Sequence, residues 1–340
     1  MNEERGGGDA LSPELQQAVG RLPKAIEPPA DLWPGIRARL SQRKPQRRYP
    51  ILLAAAAVIL LGIGVWQWRL SVGAASWQVT RLSGRPLINQ RGLAASGNLR
   101  VGQWIETDDS SRALLAVAGI GQVDVRPGSR VQLVRAQATD QRLALAYGAI
   151  HAKVAAPPRL FFVDTPVGTA TDLGCEYTLA TDSTGRGVIQ VTGGYVELAW
   201  GGRRSIVPLG ASALTRPGFG PGTPFVDDAP DDLRDALNVL DFGPGGTTAV
   251  SNALAAARAE DAVTLWHLIT RVEAPWRGAV YDRLAALVPP PAGVDRARVQ
   301  RLDTATLERY WNAIRRIQFR RVILKGVREI DPRTGTARKP

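Results

Sequence analysis

Hydrophobic positions change rhythm three times along this chain, and each rhythm predicts a different kind of structure. Between Tyr49 and Trp68 the sequence YPILLAAAAVILLGIGVWQW runs twenty residues without a charge. As a helix rising about 1.5 Å per residue it spans roughly 30 Å, the thickness of a bilayer's hydrocarbon core. From Trp77 to about Pro224 short runs rich in Val, Ile, Leu and Thr follow one another, among them Ala113–Val117, Gln122–Val125, Arg130–Leu133, Leu160–Val163, Gly187–Val191 and Tyr195–Leu198. Turn pairs such as Pro127-Gly128, Thr184-Gly185, Gly193-Gly194 and Gly201-Gly202 separate them at roughly ten-residue spacing. Many short strands at that period predict a mainly β domain, either a β-sandwich or a short β-solenoid.

Past residue 230 the period becomes helical. Asp231–Leu240, Val250–Arg258, Glu260–Val272 and Trp276–Val288 read as four helices, with Ala262, Leu265, Ile269 and Val272 on one apolar face. Pro289-Pro290-Pro291 breaks the run, and Asp303 caps a last helix that stops near Gly326. The expected organisation is a cytoplasmic helical segment over 1–48, one N-terminal transmembrane helix over 49–68 and a β domain over 77–214. A Gly/Pro linker over 215–229, a C-terminal α-helical region over 230–290, a basic helix over 303–326 and a disordered tail over 327–340 complete it.

Charge gives the spanning segment a direction. Arg37, Arg39, Arg43, Lys44, Arg47 and Arg48 precede it, whereas only Arg69 follows before Arg81. Positive charge beside a spanning helix stays in the cytoplasm, so the N-terminus is expected inside and the C-terminal bulk outside. A cleavable signal peptide is the rival, and Gly73-Ala74-Ala75-Ser76 has the small residues of a cleavage site. Its apolar core would be shorter and lie nearer the terminus.

The net charge of +12 is uneven, with thirteen Lys/Arg from Arg296 onward against Asp303, Glu308, Glu329 and Asp331. Outside the cytoplasm such a tail predicts a solvated helix or contact with anionic headgroups rather than nucleic-acid binding. That last helix can also pack on the helices before it or bind a partner. The lone Cys175 excludes an internal disulfide.

In the first 48 residues Asp31 can cap a helix whose Leu32, Ile36 and Leu40 recur every four residues beside Trp33. So short a segment has little core of its own. Its stripe can dock in the groove of a cytoplasmic protein, or lie on the headgroups. LPKAIEPPADLWPGIRARL, followed by a basic run and a spanning helix, resembles the cytoplasmic end of zinc-free anti-sigma factors; the His-x-x-x-Cys-x-x-Cys zinc signature is absent. That resemblance implies a sigma factor as partner, with Leu32, Trp33, Ile36 and Leu40 as the docking face.

A second resemblance covers about 120 residues. VGQWIETDDSSRALLAV, GQVDVRPGSRVQL, LALAYGAIHAKV, FFVDTPVGTATDLGCEYTL and GVIQVTGGYVEL, in that order, resemble the FecR domain. The matching motif positions are Thr165, Pro166, Gly168, Thr169 and Gly174, although Asp172-Leu173-Gly174-Cys175-Glu176 stands where relatives carry a further Gly-Thr pair. The resemblance implies a single-pass transducer of the bacterial inner membrane with a periplasmic β domain. An outer-membrane receptor or another envelope protein would be its outer partner. The alternative is an anchored scaffold that binds glycan or protein and has no sigma-factor partner.

Chemistry finds little support in the residues. Asp108-Asp109 before a strand reads as a turn. Cys175 with His151 lacks a third orienting group, and Gly201-Gly202-Arg203-Arg204 reads as a hairpin rather than a phosphate loop. No catalytic residue, cofactor or metal is expected.

Overall fold

The computed structural model describes residues 76–325. The segment 1–48 with Leu32, Trp33, Ile36 and Leu40, the apolar run 49–68 and the tail 327–340 lie outside the described residues. Among the described residues no helix is long and apolar enough to cross a membrane.

Two facing β-sheets make the first half of the described chain. One runs, in spatial order, β4 (Ser96–Arg100), β1 (Ser76–Ser83), β6 (Arg112–Val117), β7 (Gly121–Val125), the second half of β9 (Asp140–Val154), β12 (Glu176–Thr181), β13 (Gly187–Gly193) and β16 (Ala211–Arg216), all antiparallel. The other runs β3 (Arg91–Gly92), β2 (Leu87–Ile88), β5 (Trp104–Glu106), β8 (Arg130–Gln137), the first half of β9, β10 (Phe161–Thr165), β11 (Gly168–Asp172), β14 (Tyr195–Trp200) and β15 (Arg203–Pro208). Its one parallel pair is β9–β10. Of the two expected architectures this is the sandwich. Consecutive hairpins within one sheet, β6–β7, β10–β11, β12–β13 and β14–β15, alternate with crossings between the sheets.

Period-two burial explains the two layers. Leu115 and Val117, Val123 and Val125, Ile150 and Ala152, and Ile189 and Val191 face inward from one sheet. Val131 and Leu133, Leu143 and Leu145, Phe161 and Val163, and Val196 and Leu198 meet them from the other in one continuous core. Strand β9 serves both sheets by crossing over at Gly148, whose φ is +95°. A Cβ there would sit 2.4 Å from Ser129 Cα. Only glycine permits that corner.

The expected linker over 215–229 is instead ordered and packed. Thr215 and Arg216 end β16, and β17 (Gly220–Pro221) and β18 (Phe225–Val226) both pair with it. Residues 220 to 227 are all buried. Here glycine marks close approach rather than freedom: a Cβ on Gly220 would lie 2.7 Å from the Trp200 ring, and one on Gly222 2.6 Å from the Phe242 ring.

Helices follow: α1 (Asp231–Phe242), α2 (Thr247–Ala256), a 3-10 turn (Ala259–Asp261), α3 (Ala262–Arg271), α4 (Ala274–Leu287), α5 (Arg296–Gln300) and α6 (Thr304–Lys325). They close a second core around Leu233, Leu265, Leu268, Val280, Leu284, Val299 and Tyr310. Asp303 accepts the Thr306 N–H at 2.9 Å and so caps α6.

Candidate interaction surface

The strand ladders place the sequence motif. Ser76 and Arg100 pair at one end of the sandwich, and Ser83 and Arg112 at the other. Eight residues of β1 separate the ends by about 25 Å. At the Ser83 end lie the turns between β10 and β11, β12 and β13, β14 and β15, and β16 and β17.

The first of these turns carries Thr165, Pro166, Gly168 and Thr169. Thr165 Oγ1 donates to Gly168 O at 2.9 Å, and Thr169 Oγ1 to Asp164 Oδ1 at 2.7 Å. Asp164 in turn holds Arg142 Nη1 at 2.8 Å. Val167 is buried against Gly185 of the neighbouring turn, and a Cβ on Gly168 would sit 2.9 Å from Ala199 O. The motif therefore knits neighbouring turns together. Around it Trp200 is 36% exposed, Phe219 45%, and Tyr147 and Leu82, at the same end, 38% and 46%.

Gly174 is not part of this cluster. It lies past the far end of β11, with φ at +87°, and donates its N–H to Asp172 Oδ1 at 2.6 Å. The same buried carboxylate takes the Cys175 thiol at 2.7 Å. Burial pushes the Asp172 carboxyl up; burial first, and then Asp172, push the thiol far above its usual range. Such a thiol is inert. Close by, the fully buried Tyr177 hydroxyl has no hydrogen-bond partner among the described residues. His151 is engaged elsewhere, with Nδ1 3.2 Å from Thr178 Oγ1 and Nε2 3.2 Å from Glu176 Oε1.

The acidic candidates are structural too. Asp108 accepts from Ser110 N–H at 2.8 Å, Asp124 pairs with Arg112, and no three metal-ligating side chains converge among the described residues.

A second polar centre, which sequence reading missed, joins the helices to the sandwich. Asp241, at the end of α1, accepts from Arg203 of β15, from Arg271 Nη1 at 2.9 Å and from the Thr223 N–H at 2.6 Å. Arg271 Nη2 also reaches Ser205 Oγ at 2.6 Å. Burial pulls the Arg271 guanidinium down to about 10, with Arg203 adding to the effect and Asp241 opposing it. One helical turn before Arg271, His267 Nε2 accepts the Ile206 N–H at 3.0 Å while Nδ1 donates to Val263 O at 2.9 Å. The donor and acceptor roles fix a neutral ring. The signal available in the sequence was a His and an Arg on an otherwise apolar helix, each of which needs a partner once buried.

Aromatic rings extend the joint. Trp311 of α6 lies 4.8 Å from Trp266, 5.8 Å from His267 and 6.4 Å from Tyr195 of β14, centroid to centroid.

Comparison with known proteins fits this frame. The family model described as FecR protein matches residues 103–197. No curated protein matches the chain. Two solved structures of a candidate anti-sigma factor from Parabacteroides distasonis, at 2.50 Å and 1.65 Å resolution, are similar at 13% identity with a TM-score of 0.31. That similarity covers 34% of this chain and 56% of the relative, so the chain spans little more than half the relative's length. The matched residues 103–197 form the middle of the sandwich and hold the Thr165–Thr169 turn, and it is this part of the chain that is similar to the FecR family.

Proposed function

We propose that this chain is a single-pass membrane signal transducer of the anti-sigma type. In this reading the sandwich lies on the envelope side of the bacterial inner membrane, and segment 1–48 controls a cytoplasmic sigma factor. The observation that carries the proposal is a FecR domain C-terminal to a twenty-residue uncharged segment with a basic run on its N-terminal side. An envelope protein or outer-membrane receptor would engage the turn cluster around Thr165–Thr169, Trp200 and Phe219. Its work would be binding rather than chemistry: Asp108 serves a turn, the Cys175 thiol is held by the buried Asp172, and His151 lies against Thr178 and Glu176. Coupling of the two ends requires two states with different affinity for each partner.

The test is co-purification of a sigma factor with the full chain. Changing Trp33 and Ile36 to Asp should weaken capture by about 2–4 kcal/mol for each anchor lost, enough to abolish recovery. Undiminished capture removes the docking face. If the unaltered chain captures no sigma factor, the anchored-scaffold reading takes its place.

A further inference from the structure

The two sheets have four lateral edges, and three of them are closed. Helix α3 covers β15: His267 takes the Ile206 N–H, and Arg271 Nη2 donates to Arg204 O at 3.1 Å. The β16 edge is occupied by β17 and β18. Strand β3 is two residues long and follows a tight turn at Asn89 and Gln90, with φ at +45° and +66°. Short or covered edges are how β-proteins avoid unwanted pairing.

The fourth edge is different. Among the described residues strand β4 pairs with β1 alone. The Arg81 N–H donates to Ala95 O at 3.0 Å, which sets the phase of the ladder. Antiparallel alternation then makes Gly97 and Leu99 the hydrogen-bonded partners of Val79 and Trp77. The N–H and C=O groups of Ser96 and Asn98 consequently face away from β1. Arg100 N–H is already taken by Gln103 Oε1 at 2.8 Å, which ends the free stretch there.

Beside this edge lies a cleft of about 620 Å³ between β4 and the β2–β3 hairpin. Ile88 and Leu93 contribute apolar surface, Gly97 contributes no side chain, and Arg91 and Arg100 are the only charged residues of its wall. Both arginines are exposed, and neither pairs with a carboxylate among the described residues. We infer that β4 is a strand-addition site, at which an extended acidic peptide of a partner protein pairs with Ser96 and Asn98 while its carboxylates meet Arg91 and Arg100. Five residues of β4 span about 17 Å, enough for one short strand. The inference does not rest on the sigma-factor reading and survives its failure.

The test uses the full chain in lipid nanodiscs and two fluorescent octapeptides, one alternating valine with glutamate and one alternating valine with lysine. The glutamate peptide should bind, slow amide exchange at Ser96 and Asn98, and be preferred by roughly tenfold or more. The double change Arg91→Glu with Arg100→Glu should reverse that preference. Asn98→Pro should weaken binding by a similar factor, because a proline cannot donate to the added strand. Should that variant fail to fold, the exposed arginine pair still decides. Equal binding of both peptides, or binding of neither, overturns the proposal. So does slow exchange at Ser96 and Asn98 in a free chain with the mass of a dimer, which would mean that a second copy fills the edge.

Discussion

His267 of α3 and Asp227, held by Gln190 of β13 and Ser212 of β16, titrate in opposite senses. Burial, helped by the charge of Arg271, pulls the His267 imidazole from 6.5 down to about 3. Burial pushes the Asp227 carboxyl up to about 6 against the pull of Gln190 and Ser212, whose side chains donate to it at 3.0 and 2.8 Å. Between about pH 4 and 6 the unfolded chain holds a proton on His267 that the folded chain lacks, so that group makes stability rise with pH. Over the same window the folded chain holds a proton on Asp227 that the unfolded chain has lost, so stability falls with pH. Each contributes about 1.4 kcal/mol per pH unit where fully developed, and the two largely cancel. Asp227→Asn should therefore leave stability climbing more steeply from pH 4 to 6, and His267→Gln should leave it declining. Urea midpoints followed by tryptophan fluorescence at three pH values read both slopes; parental slopes in both variants would refute the assignment.

At the scale of elements, the covered edge of β15 is where sandwich and helices become one unit. Asp241 is the group on which Arg203, Arg271 and Thr223 converge, and its side chain is 3% exposed. Asp241→Ala would strand a buried Arg271 guanidinium and cost on the order of 3–5 kcal/mol. Limited proteolysis should then cut the helices from α1 onward before it cuts the strands, whereas simultaneous loss of both would show that the joint is not the weaker part. The Gly201-Gly202 hairpin, with φ at +54° and +82°, was legible in the sequence because two left-handed residues are what a two-residue hairpin needs. The stretch 215–229 has the composition of a linker, yet residues 220 to 227 are buried. There the same residue types serve to bring backbone against Trp200 and Phe242, a use that composition cannot distinguish from flexibility.

For the whole molecule, the topology itself is open to measurement. Protease added to intact spheroplasts should digest the region 76–325 and leave the segment 1–48 protected; the reverse pattern would invert the orientation drawn from the basic run.

What the amino-acid sequence determined unaided was everything that depends on local order. Runs rich in Val, Ile, Leu and Thr marked β1, β6 to β10 and β12 to β15 but not β2 to β5, β11 or β16 to β18; helical spacing marked α1 to α4, Asp303 marked the start of α6, and the uncharged run from Tyr49 to Trp68 supplied the case for a membrane segment. The blocks that resemble the FecR family were legible for the same reason, since each is a strand with its turn. Tertiary structure alone decided the rest. It resolved sandwich against solenoid by pairing β9 with both sheets, and it separated Gly174 from the Thr165–Thr169 turn by the length of β11. It also made partners of Asp241 and Arg271, and left the outer edge of β4 unpaired among the described residues. Apart from the separation of Gly174, which the single strand β11 makes, these outcomes depend on contacts between residues far apart in the chain, and neither periodicity nor composition records which distant strand or helix a residue will meet.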